Sequence, residues 1–415
     1  MGPSVLFDKS FLQSLSLDES VWFDNFFMAV VCPYFFVETL ADLEKPLQGG
    51  HRPEEVVKRI ASKFPDMGGA PCAYHGKLAT SELLGAPIPM TGQIPLAAPS
   101  RNVRTDDRRG VVFERSGEAD AFTRWQKGEF RDVERRFAAA WRASLTNQDA
   151  EQLAESMRRL GITGKTCKGL QDAWIIARDS VASEPSPDRV RAIVTLLGGP
   201  QVLEAWALSR LEEAGNPPLT VFAPYAAHLL TADIFFRAAL AAQLISSSNS
   251  SRIDIAYLFY LPFCHVFVSS DRLHERCAPL FLRDNQQFLW GPDLKADLAR
   301  LNDHYLELPM NEREKGVMKF ASSPPRDGDF LVGRIWDVHW PHWRERPVKR
   351  DPMDEVKGKE LVEHLGKFMK APGVALDKLD DLDSDPQSMG IKRLVRKRKG
   401  SWFQIPKHIE PKKGN

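Results

Sequence analysis

The opening alternation of short apolar runs and helical stretches constrains this chain more than any other feature. Val5-Leu6-Phe7 is a short apolar run that ends at Asp8. Ser16 to Phe27 has the spacing of a helix, with Ser16 placed to cap it and Asp18 and Glu19 in its first turn. Met28 to Cys32 is again apolar, and Pro33 stands where a helix can begin, followed by helical periodicity over Tyr34–Leu43. Strand–helix–strand–helix with fully apolar strands predicts a parallel α/β sheet flanked by helices. The same pattern returns late in the chain. Thr220–Ala223 reads as a strand or lead-in, Ala226–Ser246 as a long apolar helix and Arg252–Leu261 as a helix. His265–Val268 reads as a strand ending in Ser269-Ser270-Asp271, and 293–306 as a further helix.

Between these halves the pattern breaks. Residues 46–110 are rich in Gly and Pro, with one helix expected at Pro53–Phe64. Residues 118–160, 168–182 and 186–214 read as helices, the last two separated by a turn at Ser183–Pro187. The expected organisation is a core split between 1–45 and 220–310 and interrupted by a mainly α-helical insertion at 46–219. An irregular extension at 311–389 and a flexible basic tail at 390–415 follow. A chain of 415 residues suits two or three such units.

The overall charge of +1 hides an asymmetry: residues 390–415 hold nine Lys and Arg against one acid, Glu410. Such a tail suits a polyanion or, equally, a solvated end. The five cysteines are diluted over the chain with no CxxC pair, which argues against a disulfide framework or structural zinc. No secretory leader pattern is read at the N-terminus, and the longest apolar run, Phe26–Val37, is broken by Pro33 and falls short of the ~20 residues of a membrane span. A soluble, cytoplasmic protein without a membrane partner is expected.

Four acids sit at informative places. Asp8 and Asp271 follow apolar strands directly, while Glu38 and Asp254 lie on helices beside strands. In a parallel α/β sheet, ligands bind beyond the carboxyl ends of the strands, where such acids gather. Carboxylates sharing a cleft repel one another unless a cation neutralises them, and oxygen-only ligands favour Mg²⁺ or Mn²⁺. Paired ions of that kind activate water for phosphodiester hydrolysis.

Three blocks carrying these acids resemble the PIN-domain nucleases. VLFDKSFLQSL at 5–15 resembles the family's opening strand, where an Asp is followed two residues on by Ser or Thr; Asp8 and Ser10 match. VVCPYFFVETLADL at 30–43 resembles the second strand and the helix bearing the family's Glu, which falls on Glu38. DIAYLFYLPFCHVFVSSD at 254–271 resembles the closing block, with Asp254 and Asp271 matching and Ser269, or its neighbour Ser270, at the hydroxyl position. The resemblance implies metal-dependent phosphodiester hydrolysis, of RNA more than DNA, with Mg²⁺ or Mn²⁺ at Asp8, Glu38, Asp254 and Asp271. Asp42, one helical turn beyond Glu38, is the other candidate ligand on that face. The insertion at 46–219 departs from the family pattern.

Other signals are weaker. Arg272 and His274 follow Asp271 and stand within reach of a scissile phosphate or serve as surface charge. Arg252 is a possible partner for Asp254. The tail run KRLVRKRKGSWF suggests nucleic-acid contact through Arg393, Arg396, Lys397, Arg398 and Lys399. RIWDVHWPHWRER at 334–346 interleaves Trp and Arg, which suits either core anchoring or single-strand stacking; anchoring is the preferred reading. His339 and His342 lack further metal ligands nearby, and Cys264 beside His265 reads as core. No P-loop or GxSxG elbow occurs. Two alternatives to the nuclease stand: a non-catalytic nucleic-acid-binding protein that keeps the fold, and a scaffold whose helical insertion recruits a protein partner.

Overall fold

The computed structural model describes residues 2–44, 52–97, 100–104, 109–114, 116–146, 150–183, 186–246 and 249–345, then short pieces within 363–374, 390–391 and 395–409. Its centre is a five-stranded, all-parallel sheet made by β1 (Ser4–Phe7), β2 (Met28–Val31), β3 (Ala70–Pro71), β6 (Val266–Ser269) and β7 (Gln287–Trp290), in the order β3-β2-β1-β6-β7. Leu6 stands opposite Val30 on one side and Phe267 on the other, and Val268 pairs with Leu289. β1 and β6 are buried along their whole length because helices cover both faces, which is why they read as unbroken apolar runs.

The helices around this sheet start where short-range chemistry dictates. Asp8 caps α1 (Lys9–Ser14), and a reciprocal capping box between Ser16 and Glu19 opens α2 (Leu17–Phe26). Pro33 begins α3 (Pro33–Ala41), where its missing N–H forfeits no helical hydrogen bond. Phe7 meets Phe23 and Phe35 edge-on at 5.5 and 5.0 Å, locking β1 to α2 and α3.

The middle of the chain supplies α4 (Pro53–Lys63), α5 (His75–Leu83), the antiparallel hairpin β4 (Ser100–Arg104) and β5 (Arg109–Phe113), α6 (Gly117–Lys127) and α7 (Asp132–Thr146). It continues with α8 (Ala150–Arg159), α9 (Leu170–Ala182), α10 (Ser186–Leu196), α11 (Gln201–Glu213) and α12 (Leu219–Phe222). The long α13 (Pro224–Ala241) is apolar on nearly every side and packs against α8 and α9. α14 (Asn249–Tyr257) and α15 (Arg272–Cys277) flank β6, and α16 (Gly291–Leu306) follows β7. Among the described residues no helix is long and apolar enough to cross a membrane.

Several expectations need correction. Residues 219–222 form α12, not a strand, because Pro218 opens a helical turn that Pro224 then restarts as α13. The helix expected over Arg252–Leu261 ends at Tyr257 and continues as a 3₁₀ turn, Leu258–Phe263, that contains Pro262. Ala70–Pro71, placed in the expected insertion, pairs with β2 and belongs to the central sheet. β7 was not foreseen; its four residues are all half-buried and lack a clear alternation.

The extension carries three more helices, α17 (Met310–Arg313), α18 (Val317–Phe320) and α19 (Leu331–His339). Trp336 and Trp343 are buried, and the Trp336 indole donates to Phe26 O at 3.0 Å, so this stretch anchors the core.

The described part of the tail is not a free basic arm. β8 (Gly390–Ile391) pairs with β5, and β9 (Arg398–Lys399) pairs with β10 (Trp402–Phe403). Trp402 is buried against Trp22 with ring centroids 4.7 Å apart, and the two indoles both donate to Asn302 Oδ1. Lys399, also buried, donates to the carbonyls of Lys63 and Phe64 at 3.0 Å each, and Arg396 pairs with Asp66 at 2.6 Å. The charges of Arg396 and Lys399 are spent on terminating α4, not offered to a polyanion. Lys397 is half-buried and Arg398 exposed, its guanidinium over Phe403; Arg393 lies outside the described residues.

Candidate functional site at the sheet's switch point

The chain adds β2 and β3 on one side of β1 and then crosses over to add β6 and β7 on the other, so the crevice beyond β1 and β6 is the sheet's topological switch point. The residues that follow these two strands meet there. Asp8, after β1, is buried; its Oδ1 accepts from Phe11 N at 2.8 Å, and its Oδ2 accepts from Ser10 Oγ at 2.6 Å and Ser269 Oγ at 2.7 Å. Ser269, the last residue of β6, therefore ties the two strand ends together. Its hydroxyl also faces His274 Nδ1 at 2.7 Å and accepts from Asp271 N at 2.9 Å.

His274 is completely buried, with Nε2 2.7 Å from the carbonyl of Asp254 and Nδ1 3.6 Å from Asp8 Oδ2. Burial alone would discharge it, but Asp8, Asp254 and that carbonyl together raise it to about 9. As an imidazolium it donates from both nitrogens, to Ser269 Oγ and to Asp254 O. Burial also opposes ionisation of Asp8, and the nearby charge of His274 with the hydroxyls of Ser10 and Ser269 outweighs it, leaving Asp8 below its ordinary value. The sequence places His274 beside Asp271 as a phosphate contact or surface charge; it is neither, being the buried counter-charge of Asp8.

A second cation organises the neighbouring acids. Lys9, between Asp8 and Ser10, is buried and reaches Glu38 Oε1 at 3.2 Å and both Asp42 oxygens at 3.1 Å. Burial disfavours its charge, yet Glu38 and Asp42 hold it above the ordinary lysine value. Tyr257 OH donates to Glu38 Oε2 at 3.0 Å. Both Glu38 and Asp42 thus face one ammonium group. Sequence reasoning missed Lys9 and Tyr257; a lysine at an otherwise apolar strand–helix junction was the available signal for the first.

Asp271 caps α15, accepting from Leu273 N at 2.6 Å. Arg272 is exposed, pairs with Glu275 at 2.6 Å and lies over Trp290 at 4.3 Å. Ser270 Oγ is buried, has no hydrogen-bond partner among the described residues and is pressed against Gly291. Asp254, half-buried at the side of the crevice, receives no hydrogen bond on its carboxylate from any described residue. Burial, then the charges of Asp271, Glu38 and Asp8, raise it to about 7, with His274 opposing. All four expected acids therefore share one electrostatic neighbourhood.

Sharing a field is not the same as sharing a ligand. Among the described residues no group of three or more His, Cys, Asp or Glu is placed to hold a metal ion. The physical reason is visible in the contacts: Asp8 is occupied by its cap and two hydroxyls, Glu38 and Asp42 by Lys9, and one oxygen of Asp271 by its cap. An all-oxygen donor set suits Mg²⁺ or Mn²⁺ in kind, but this placement does not fit such an ion. Elsewhere, Cys264 and His265 have separate partners, Leu261 O and Ser4 Oγ, and His342 pairs with Glu345 while His339 meets Gln287.

No known protein family, curated protein or solved structure matches the chain.

Proposed function

We propose that this protein is a PIN-like nuclease that hydrolyses nucleic-acid phosphodiesters, RNA more than DNA, at the β1–β6 switch point. The observation that carries this reading is the convergence of Asp8, Asp254 and Asp271, with Glu38 beside them, on the carboxyl edge of a five-stranded parallel sheet. Ser269 joining Asp8 to β6 across that edge supports it further. Convergent carboxylates with perturbed protonation in a crevice are the general mark of an acid–base site.

Within the chain's own residues, Asp254 is the carboxylate left available to accept a proton from an attacking water, because no described residue donates to it. Asp8, Ser269 and His274 hold the strand ends in register beneath it. Arg272, exposed at the rim, is placed to meet a phosphate. Mg²⁺ or Mn²⁺ belongs to the PIN-like reading, but since the acids do not gather as ligands no step is routed through a metal.

A second reading rests on Lys9. An internal ammonium that already neutralises Glu38 and Asp42 is what a non-catalytic descendant of such a fold would carry, leaving a nucleic-acid-binding protein or a scaffold for a protein partner. One experiment separates them. Purified protein is incubated with labelled single-stranded RNA and DNA, with Mn²⁺, with Mg²⁺ and with a chelator, beside Asp8→Asn and Asp254→Asn. The nuclease reading expects cleavage lost in both variants, and the chelator arm decides whether a metal takes part. Binding without cleavage under every condition supports the second reading, and cleavage unchanged in both variants sinks the first.

A further inference from the structure

Next to the switch point, α3, α5, α7, α13 and α14 enclose a pocket of about 160 Å³ that none of the four acids lines. Its walls are aromatic: Tyr34 stacks on His75 with centroids 5.6 Å apart, Trp141 lies 6.5 Å from Tyr34, and Phe259 lies 5.0 Å from His75. Its polar groups are few and different in kind. Asp233 has one oxygen held by Arg237 at 2.6 Å, and no described residue donates to the other. The Tyr260 hydroxyl accepts from His75 N and lies 3.2 Å from Nδ1; when that hydroxyl donates to Nδ1, the neutral imidazole carries its proton on Nε2. Burial keeps this imidazole neutral, pushed down to about 4. Arg252 is exposed at the mouth.

We propose that this pocket binds one nucleobase, with Arg252 meeting the attached phosphate. Flat π walls stack any base, and a carboxylate acceptor and an imidazole in the same lining suit the mixed hydrogen-bonding edge that a base presents. A purely apolar ring would leave the second Asp233 oxygen unsatisfied, and an organic cation would be opposed by Arg252. The volume suits one ring system, since a cavity of about 150 Å³ accommodates benzene. Tyr34 and Glu38 stand one turn apart on α3, so the pocket and the acids adjoin along that helix. The helices inserted between the two halves of the core thereby gain a role, because His75 and Trp141 come from them.

The proposal deepens the nuclease reading but is tested without cleavage. Calorimetric titration of the full chain, in chelator, with the four nucleoside monophosphates, the matching nucleosides and a short single-stranded oligonucleotide distinguishes a free nucleotide from a base within a strand. Saturable binding is expected for at least one nucleotide or for the oligonucleotide. Tyr34→Leu should weaken it about 5- to 150-fold, the range of one lost base stack. Arg252→Gln, an exposed change that leaves the fold alone, should weaken phosphate-bearing ligands and not nucleosides. Asp8→Asn should bind as the parent does, so failed cleavage and failed binding are told apart. No saturable binding by the parent overturns the proposal, as does binding that both Tyr34→Leu and Arg252→Gln leave unchanged.

Discussion

Replacing Lys9 by Met removes one positive charge from beneath the switch point while keeping the length of the side chain. Its ammonium contacts Glu38 at 3.2 Å, Asp42 at 3.1 Å and the Glu38 carbonyl at 3.3 Å. The Lys9 side chain is 8% exposed and that of Asp42 3%, so water cannot take over the neutralisation. Removing one partner of a buried pair costs about 3–5 kcal/mol, because the remaining charge is left desolvated. Glu38 is 24% exposed and can be resolvated, whereas Asp42 is nearly buried, so more of the loss falls on Asp42. At about 2.1 cal/mol/K per residue, unfolding of a unit this size carries an entropy near 0.9 kcal/mol/K, and the loss appears as a fall in Tm of roughly 3–6 °C. Scanning calorimetry of Lys9→Met, Asp42→Asn and the double variant isolates the interaction as a coupling energy. The double variant should recover a large part of the loss. The vacated carboxylates should also let Mg²⁺ stabilise Lys9→Met more than the parent, by about 2.7 kcal/mol at a hundredfold excess over its Kd. A Lys9→Met protein as stable as the parent, or strictly additive single variants, would refute the claim that this ammonium holds the acids.

Two further outcomes follow from the same neighbourhood. Asp254 is raised from 3.8 to about 7, so the folded state holds a proton that the unfolded state releases, and stability falls as pH rises from about 4 to 7. His274 is raised from 6.5 to about 9, so its contribution is complete below pH 6.5 and is lost as pH rises through about 9. Buried His75, His228 and His339, each lowered to about 4, work the other way between about pH 4 and 6.5, so the test is a difference: Asp254→Asn should make the change in Tm from pH 4 to 7 more favourable than the parent's, and an unaltered change contradicts the assignment. A Cβ on Gly291 would stand 2.2 Å from Ser270 Oγ and 3.1 Å from the Ser269 carbonyl carbon, so Gly291→Ala should cost about 1–3 kcal/mol by wedging α16 away from β6. Adding Ser270→Ala changes the nearest group but leaves the Ser269 backbone, so recovery should be partial; denaturant melts of both variants read this directly.

The elements legible in the sequence are those whose cause is local. β1, β2 and β6 are short apolar runs bounded by a capping acid or a helix-starting proline, and each lies where that grammar puts it. Asp8 and Asp271 were placed at the sheet edge by the same argument, and they stand there as N-caps. Whether an acid after a strand caps its own helix or ligates an ion is not a local property, because both uses need the same residue at the same place. β3 escaped notice because Ala70–Pro71 is a strand only by pairing with β2. The tail's lysines and arginines look alike in sequence, yet Lys399 is buried on the end of α4 while Arg398 is exposed, a difference set by which carbonyls the hairpin reaches. Sequence by itself determined the parallel α/β core and the edge at which its acids collect. Only tertiary structure decided that Lys9 and His274, both buried, supply the cations those acids face, because neutralising a buried charge depends on distances across 33 or 261 or more positions of chain. It also decided that helices from the middle of the chain close an aromatic pocket beside them.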